Sequence, residues 1–407
     1  MANPMSPNKR GVLAIAGGSI AIFWPGAFIF GFPGVMGPLW QEMFHVGRGP
    51  IGNTLFFVLA AVGIFMFFVG RWQEKFGTRR MITIGAMICG LDIIMIAYAS
   101  KIYMVYLWAF LMGLSSCFIY IPALTTVQLW YPGRRGLVSG IVNMAFGLSG
   151  AIMSPVFAQM LASMGYVSMN FALATVALVV GVTAAQFAGL PERAEFERSA
   201  PVVPQKAPAQ LPRSLTVAES IRTRNFWFLW LTWALMGAAG IAMVTLSTAF
   251  GLSRGFAMKS AILILTVFNV TNGLSRITTG YLSDIVGRNT TMCAAFFAAG
   301  CSYFALPHLD ALGASAVFAG VIGFAFGTLF AVSAPLAVDC FGLEHFGAIF
   351  GLVFTAYGFV SGAMGPSLGG YILDVSEGNF IVVFTYLGGF CMLSGFFIRF
   401  VSPPRPE

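Results

Sequence analysis

The sequence is poor in charge. Only 9% of its 407 residues are charged, 58% are hydrophobic, and the mean hydropathy is +0.85. An ordinary soluble domain has about 25% charged residues. A soluble fold of this length could not bury so much apolar surface, so lipid must surround most of the chain. The sequence therefore predicts an integral membrane protein. The net charge of +8 does not indicate nucleic-acid binding, because the basic residues lie in short loops.

Patterns for catalysis and metal binding are also missing. The six cysteines fall in or beside apolar stretches without paired spacing, which argues against a disulfide framework and a metal site. The three histidines lie in predicted loops, and no H-E-x-x-H motif, nucleophile elbow or aspartate pair occurs in an apolar stretch. We predict no enzyme, no cofactor and no metal. A membrane sensor with a soluble output domain is disfavoured, because the longest polar segment has about 34 residues.

Twelve apolar stretches are present, and a bilayer crossing needs about 20 residues. Pro25 and Pro33 predict a kink in the first stretch. No small-residue cleavage site follows the basic N-terminus, so this stretch is interpreted as a retained span. The expected limits are 11–40, 50–70, 81–99, 102–130, 136–162, 167–190, 225–250, 260–283, 290–307, 311–338, 346–372 and 379–401.

A polar segment at 191–224 separates the first six stretches from the last six. It is rich in proline, alanine and charge, which predicts a flexible cytosolic linker with a short amphipathic piece near its end. We expect an N-terminal six-helix bundle at 1–190 and a C-terminal six-helix bundle at 225–407. If both termini are cytosolic, 17 of the 22 lysines and arginines lie on the inner side. This asymmetry predicts a multi-pass protein of the cell (inner) membrane in that orientation.

The two halves repeat each other. The segments "GRWQEKFGTRR" (70–80) and "GYLSDIVGRNT" (280–290) each open with glycine and continue with an acid, a second glycine and an arginine. Two further segments, 134–151 and 345–363, share three glycines at a constant offset of 211. The corresponding glycines are Gly136 and Gly347, Gly140 and Gly351, and Gly147 and Gly358. Such spacing lets helices approach closely in lipid, and a tandem six-span repeat is typical of transporters whose halves rock around a central site.

Arg276 is a basic residue inside the eighth predicted span. It lies about 7 Å to the cytosolic side of the span's midpoint, at 1.5 Å per residue. Side chains lean toward a helix N-terminus, here toward the midplane, which argues against snorkelling to the cytosolic surface. No acid lies one turn away, where Asn272 and Gly280 stand, and an unpaired arginine at this depth costs at least ~2.5 kcal/mol. We interpret Arg276 as a carboxylate-binding residue, with a structural ion pair as the alternative.

The doubled loop motif and the twelve spans resemble the Major Facilitator Superfamily over nearly the whole chain. The resemblance implies an all-α membrane fold of two pseudo-symmetric six-helix bundles. In that family the loop residues latch the cytosolic helix ends and gate the rocking motion. The first copy departs from the family by carrying Glu74 where aspartate is usual. The gating residues implied are Gly70, Glu74, Gly77, Arg79, Gly280, Asp284, Gly287 and Arg288.

Three segments carry a finer resemblance, to the oxalate/formate antiporter group and the related monocarboxylate transporters. They are "LWYPGRRGLVSG" (129–140), "SIRTRNFWFLWLTW" (220–233) and "NGLSRITTGYLSDIVGR" (272–288). In that group an arginine matching Arg276 contacts the substrate carboxylate, and a tyrosine matching Tyr120 contacts the substrate. Oxalate-transporting members carry a lysine where Val353 stands, and mammalian monocarboxylate transporters carry a lysine and an acid where Gly34 and Asn272 stand. One fixed positive charge suits one carboxylate, so a monoanion is predicted.

Aromatic and polar residues of the central spans complete the expected cavity. Four phenylalanines fall near antiporter tyrosines or tryptophans, which favours an acid with an alkyl end, such as lactate, pyruvate or propionate, over oxalate. Asn143 and Tyr357 are polar candidates, and Asn143 could equally serve only as a bond across helices. The predicted substrate-binding residues are Arg276, Asn272, Tyr120, Asn143, Phe146, Phe326, Phe330, Phe350 and Tyr357.

Asp92 is the only acid well inside a predicted span. It is a candidate proton-coupling residue, although a buried, hydrogen-bonded structural role is favoured because the third span is usually peripheral in this fold. Asp339 is expected to belong to a gate or a cap. The resulting prediction is a monomeric secondary transporter of small monocarboxylates that works by alternating access, with proton symport favoured. Exchange of anions of the oxalate/formate type is the alternative, and a drug exporter is disfavoured because it would need a buried acid in the cavity.

Overall fold

The computed structural model describes residues 7–131, 135–190, 214–342 and 345–402. The secondary structure of these residues is helical, without strands, as predicted. In chain order the helices are α1 (Pro7–Phe30), α2 (Phe32–Phe44), α3 (Arg48–Phe76), α4 (Thr78–Ala97), α5 (Ile102–Trp130), α6 (Arg135–Phe187), α7 (Val217–Ile221), α8 (Arg224–Ser253), α9 (Met258–Val286), α10 (Arg288–Ala305), α11 (Leu312–Phe341), α12 (Phe346–Thr355), α13 (Leu368–Val375) and α14 (Phe380–Arg399).

The helices account for the predicted membrane passes. Eleven helical stretches in the described chain are long and apolar enough to cross a bilayer. One of them, α6, has 53 residues and is broken at Gly165, whose φ of 77° and ψ of 172° are not helical. At about 1.5 Å per residue it is more than twice as long as a bilayer is thick, so it makes two passes. The all-α membrane fold is therefore confirmed, and helix limits lie within a few residues of those expected.

The first span is kinked where the sequence places its second proline. α1 ends at Phe30 and α2 begins at Phe32, with Pro33 in its first turn. Pro25, by contrast, lies within continuous α1. The eleventh span is also irregular, because π-helical turns at Ala356–Ser361 and Ala363–Ser367 join α12 to α13. The length of this span had indicated a tilt or a bend, without indicating π-helical turns.

The sequence repeat appears as a pair of equivalent helix contacts. Gly147 in the fifth span lies so close to the eighth span that a Cβ added to it would be 3.0 Å from the Cα of Gly273. Gly358, its counterpart at offset 211, brings the eleventh span equally near the second, since an added Cβ would be 2.7 Å from the Cα of Gly63. Each contact joins one half of the molecule to the other, and both require glycine for the close approach.

The two ends of the bundle are named here from the predicted orientation. The cytosolic end carries the turns at Gly77 and Gly287, and the external end carries the start of α3. Gly77 has φ 82° and Gly287 has φ 99°, backbone angles that only glycine adopts at low cost, so the two loop motifs form matching turns.

The predicted linker is only partly described. Its residues 191–213 lie outside the described chain. The short amphipathic piece expected near its end corresponds in position to α7, where Thr216 and Glu219 form a reciprocal cap. The backbone N–H of Leu215 donates to the carbonyl of Phe341 at 2.9 Å, which joins this segment to the end of α11.

Candidate substrate-binding site

Arg276 lies in the interior of the protein, between the two halves. It sits four residues beyond the midpoint of α9 and is 4% exposed, so its side chain does not reach the cytosolic surface. The ion pairs found among the described residues lie elsewhere in the molecule, and none includes Arg276. The alternative interpretation of Arg276, a structural ion pair, therefore finds no partner acid among the described residues.

The hydrogen bonds of Arg276 are few and long. Nη1 donates to the backbone carbonyl of Asn143 and Nη2 donates to Oδ1 of Asn272, each at 3.4 Å. Nε and the Asn272 Nδ2 are buried without a partner among the described residues. A guanidinium has five N–H donors, and good N–H···O bonds span about 2.7–3.2 Å. The site therefore offers unsatisfied donors from two side chains one helical turn apart.

Aromatic rings surround the guanidinium. Its Cζ lies 4.4 Å from the ring centre of Phe330, 5.7 Å from that of Phe146 and 6.0 Å from that of Phe30. Each such contact contributes on the order of 0.5–2 kcal/mol when water is excluded. The rings come from both halves, so they partly offset the cost of burying the charge only while the halves are packed together.

Asn143 connects the tyrosine of the fourth span to the arginine. The Tyr120 hydroxyl donates to Oδ1 of Asn143 at 2.5 Å, and the Asn143 Nδ2 donates to the carbonyl of Ser139 at 3.0 Å. The carbonyl of Asn143 itself accepts from Arg276. Tyr120 was predicted to reach the substrate carboxylate directly, whereas here its proton is directed to Asn143.

The other predicted aromatic residues form a continuous cluster beside Phe330. Phe326 lies 5.3 Å from Phe330 and Tyr357 lies 5.6 Å from it, measured between ring centres. Phe350 packs against Phe354 at 5.1 Å. Trp233, which sequence reasoning did not select, contacts Phe330, Phe350 and Tyr357 at 5.0, 6.1 and 5.5 Å. The π-helical turns beginning at Ala356 present Tyr357 to this cluster.

A small cavity of about 30 Å³ lies beside the guanidinium: the three phenylalanines that contact Arg276 line it, but Arg276 itself is not among the lining residues. That volume has room for only about two water molecules, so the cavity is nearly collapsed. Its lining is mostly hydrocarbon, with the hydroxyls of Ser116, Tyr120 and Tyr357 as the polar groups. The lining residues are Ile29, Phe30, Val58, Leu59, Val62, Met66, Ser116, Tyr120, Phe146, Phe330, Phe354 and Tyr357.

One further polar residue beside the site was missed from the sequence. Asn269 lies two turns before Arg276 on the same face of α9, and its Nδ2 donates to the carbonyl of Phe30 at 3.0 Å. Because α1 ends at Phe30, that carbonyl lacks a continuing helix to bond it. Two features of the sequence could have indicated this contact. Asn269 lies seven residues before Arg276 and so on the same helix face, and Pro33 interrupts the first span next to Phe30.

Asp92 is buried away from this cavity. It is 3% exposed, and neither carboxylate oxygen has a hydrogen-bond partner among the described residues. The predicted hydrogen bonds are therefore not found among the described residues. A lone buried carboxylate costs several kcal/mol when ionised. A proton-coupling role for Asp92 stays a prediction.

The predicted gating residues lie at the cytosolic end. In the second copy of the motif, Arg288 donates through Nε to Asp339 of α11 and lies 3.7 Å from Asp284. Asp339 thus ties this loop to its own half. In the first copy, Arg79 lies beside Gly189, and the side chain of Glu74 is outside the described part. Side chains added at Gly70 or Gly280 would meet no described atom within 4 Å.

Twelve membrane passes in the described part of the chain, packed around a small central cavity, are the architecture of a membrane transport protein. The chain belongs to the Major Facilitator Superfamily, whose family model matches residues 12–358 and 260–407. Members of this superfamily are transporters and not enzymes, so this chain is a multi-pass transporter.

Several named proteins are similar to the chain. The oxalate:formate antiporter of Oxalobacter formigenes is 25% identical over 70% of this chain and 67% of its own length. Monocarboxylate transporter 11 of Homo sapiens is 25% identical over 82% of this chain and 70% of its own length. The uncharacterized MFS-type transporter YhjX of Escherichia coli (strain K12) is 25% identical over 72% and 71%, respectively. At these identities the family is shared, and the substrate must be argued from the site.

Proposed function

We propose that this protein is a secondary transporter of small monocarboxylates that works by alternating access, with Arg276 as the anion-binding residue. The observation that carries the proposal is a buried guanidinium that is not ion-paired within the described chain. Its Nε and the Asn272 Nδ2 are unsatisfied donors. A carboxylate would supply both the missing charge and the missing acceptors, in the bidentate geometry that arginine favours.

The surroundings of Arg276 favour one carboxylate over two. The side chains that line the central cavity are uncharged in the described chain. A second carboxylate on the substrate would enter this apolar cavity without a cation, at a cost of several kcal/mol. An alkyl end would instead contact Val58, Leu59 and Val62. We therefore propose monoanions of the lactate, pyruvate or propionate type, carried across the cell membrane with both termini of the protein in the cytosol.

Proton symport is the proposed mode of coupling. If a carboxylate and a proton bind together, their charges cancel. The loaded site then has the same net charge as the empty site during the rocking step. Asp92 does not line the cavity, and this form of symport does not require it. Imposing an inward proton gradient on proteoliposomes should accelerate uptake.

Anion exchange is a second candidate, favoured by the similarity to the oxalate:formate antiporter. It predicts the opposite result in proteoliposomes. Uptake would then be indifferent to the proton gradient and would require a counter-anion inside the vesicle.

Ligand-dependent thermal stabilisation of the purified protein tests the binding site itself. A ligand that binds the folded state stabilises it in proportion to RT ln(1 + [L]/Kd). We expect monocarboxylates, and not oxalate or malonate, to raise the melting temperature, and we expect Arg276→Gln to abolish that increase.

Arg254→Gln is the matched control, because Arg254 is an arginine of the same half that pairs with Asp310 at the external surface. Its ligand-induced shift, measured from its own baseline, should equal that of the wild type. An undiminished shift in Arg276→Gln would remove the proposed anion site.

A further inference from the structure

The external end of α3 is capped by a residue from the other half of the molecule. The backbone N–H of Arg48 donates to Oδ1 of Asp374 at 2.7 Å, and that of Gly49 donates to Oδ2 at 2.8 Å. Asp374 is the seventh residue of α13, at the external end of the eleventh span. The residue preceding α3 is Gly47, which has no side chain and cannot provide the cap itself.

This cap connects the two halves energetically. The first N–H groups of a helix have no partner within the helix, and a carboxylate satisfies them and interacts favourably with the helix dipole. Most capping residues directly precede the helix that they cap, so they move together with it and the cap is kept when the whole helix moves. Here the carboxylate lies more than 320 residues away in sequence and in the opposite half. Its contribution is available only while the halves touch at the external end.

Neighbouring contacts reinforce the same junction. The Asn53 Nδ2 of α3 donates to the Tyr371 hydroxyl at 3.0 Å. The Tyr371 ring packs so closely on Gly49 that a side chain there would collide with it, and Gly52 lies equally close to the carbonyl of Pro366. On α3, the surface formed by Gly49, Gly52 and Asn53 thus fits closely against the eleventh span.

The cytosolic end of the same pair of helices is less tightly packed. Side chains added at Gly70 of α3 or at Gly351 of α12 would meet no described atom within 4 Å. Along this pair of helices, the close contacts described between the halves therefore lie at the external end and near mid-span, and none is found at Gly70 or Gly351.

We propose that Asp374 is an external latch, which stabilises the state closed to the outside and must release α3 before the transporter opens outward. The latch rests on the alternating access proposed above but on no particular substrate. Asp374 is an exposed residue, so its carboxylate and the freed N–H groups can bond to water once the halves separate. The latch therefore biases the resting population and does not lock it.

A cysteine reporter can measure this population without any ligand. Leu265 is fully buried at the external contact between the halves, where its side chain faces Gly34 of the first span. In a Leu265→Cys protein, with Cys293 and Cys301 replaced by serine, outward opening exposes the new thiol to a membrane-impermeant maleimide. We expect Asp374→Ala to increase the labelling rate about fivefold, the factor that corresponds to loss of a typical helix cap. Asp374→Asn, which keeps one acceptor oxygen, should give a smaller increase.

Asp310→Asn is the matched control, because Asp310 is also an exposed external acid but pairs with Arg254 inside its own half. It should leave the labelling rate unchanged. Tyr371→Phe removes only the contact with Asn53 and should raise the rate about twofold, which provides a second test if Asp374→Ala does not accumulate as folded protein. An unchanged rate in the folded Asp374 or Tyr371 variants, or an equal increase in Asp310→Asn, would overturn the proposal. Loss of monocarboxylate binding alone would not affect it.

Discussion

At the scale of single residues, Arg276 is held by aromatic faces and by two weak hydrogen bonds. Phe330 stacks nearest to the guanidinium, and the acceptors Asn143 and Asn272 lie at the outer limit of hydrogen bonding. This arrangement holds the planar group in position without consuming its donors. A binding arginine needs that combination, because a tightly paired one would have to break bonds before accepting a substrate.

Arg276→Lys tests whether the planar group matters beyond its charge. Lysine keeps the positive charge but loses the bidentate geometry and the stacking on Phe330. We expect monocarboxylate affinity to fall about tenfold, the equivalent of one charge-assisted hydrogen bond. Titration of the melting temperature with ligand measures this change. Equal affinities in the two proteins would mean that only the charge is recognised.

At the scale of helices and turns, glycine serves two separate purposes. Gly147 and Gly358 permit close helix contact, whereas Gly77 and Gly287 permit backbone angles that other residues avoid. Sequence spacing identified both pairs as repeats. It could not distinguish the two purposes, since packing distances and backbone angles are known only from the folded chain.

Gly287→Ala and Gly280→Ala should therefore have different effects on the stability of the protein: the first should lower it and the second should not. Alanine at Gly287 must adopt a φ near 99°, at a cost of about 1–3 kcal/mol. Alanine at Gly280 enters a helix with open space around it and should be neutral or slightly stabilising. Melting temperatures of the two purified variants provide the comparison. A Gly287→Ala protein as stable as the Gly280→Ala protein would contradict the assignment of a strained turn.

The π-helical turns of the eleventh span show a limit of prediction at this scale. The Ser361 hydroxyl contacts the carbonyls of Trp233 and Ala234, each at 3.0 Å, and so fixes the widened turns against α8. Such turns often occur at functional sites. Hydropathy registers only that residues 346–372 are apolar and long enough to be tilted or bent, so it could not predict where the helix widens.

At the scale of the whole molecule, the distribution of basic residues predicts which end faces the cytosol. Lys101 immediately precedes α5 at the predicted external end, and Arg80 is the third residue of α4 at the predicted cytosolic end; both residues are exposed. In intact cells we expect an impermeant maleimide to label Lys101→Cys, but not Arg80→Cys, when Cys293 and Cys301 are replaced by serine. The reverse pattern would invert the proposed orientation, and permeabilised cells should label both as a control.

The sequence by itself determined the membrane environment, the twelve spans, the repeat and the presence of a charge at Arg276 without an acid one turn away. These features are local, because they depend on hydropathy, composition and spacing along one helix. Tertiary structure decided which groups surround Arg276 and which acid caps α3. Asn143 is 133 residues from Arg276, and Asp374 is 326 residues from Arg48. Contacts of that range depend on how twelve helices pack, and small differences in side-chain fit determine that packing.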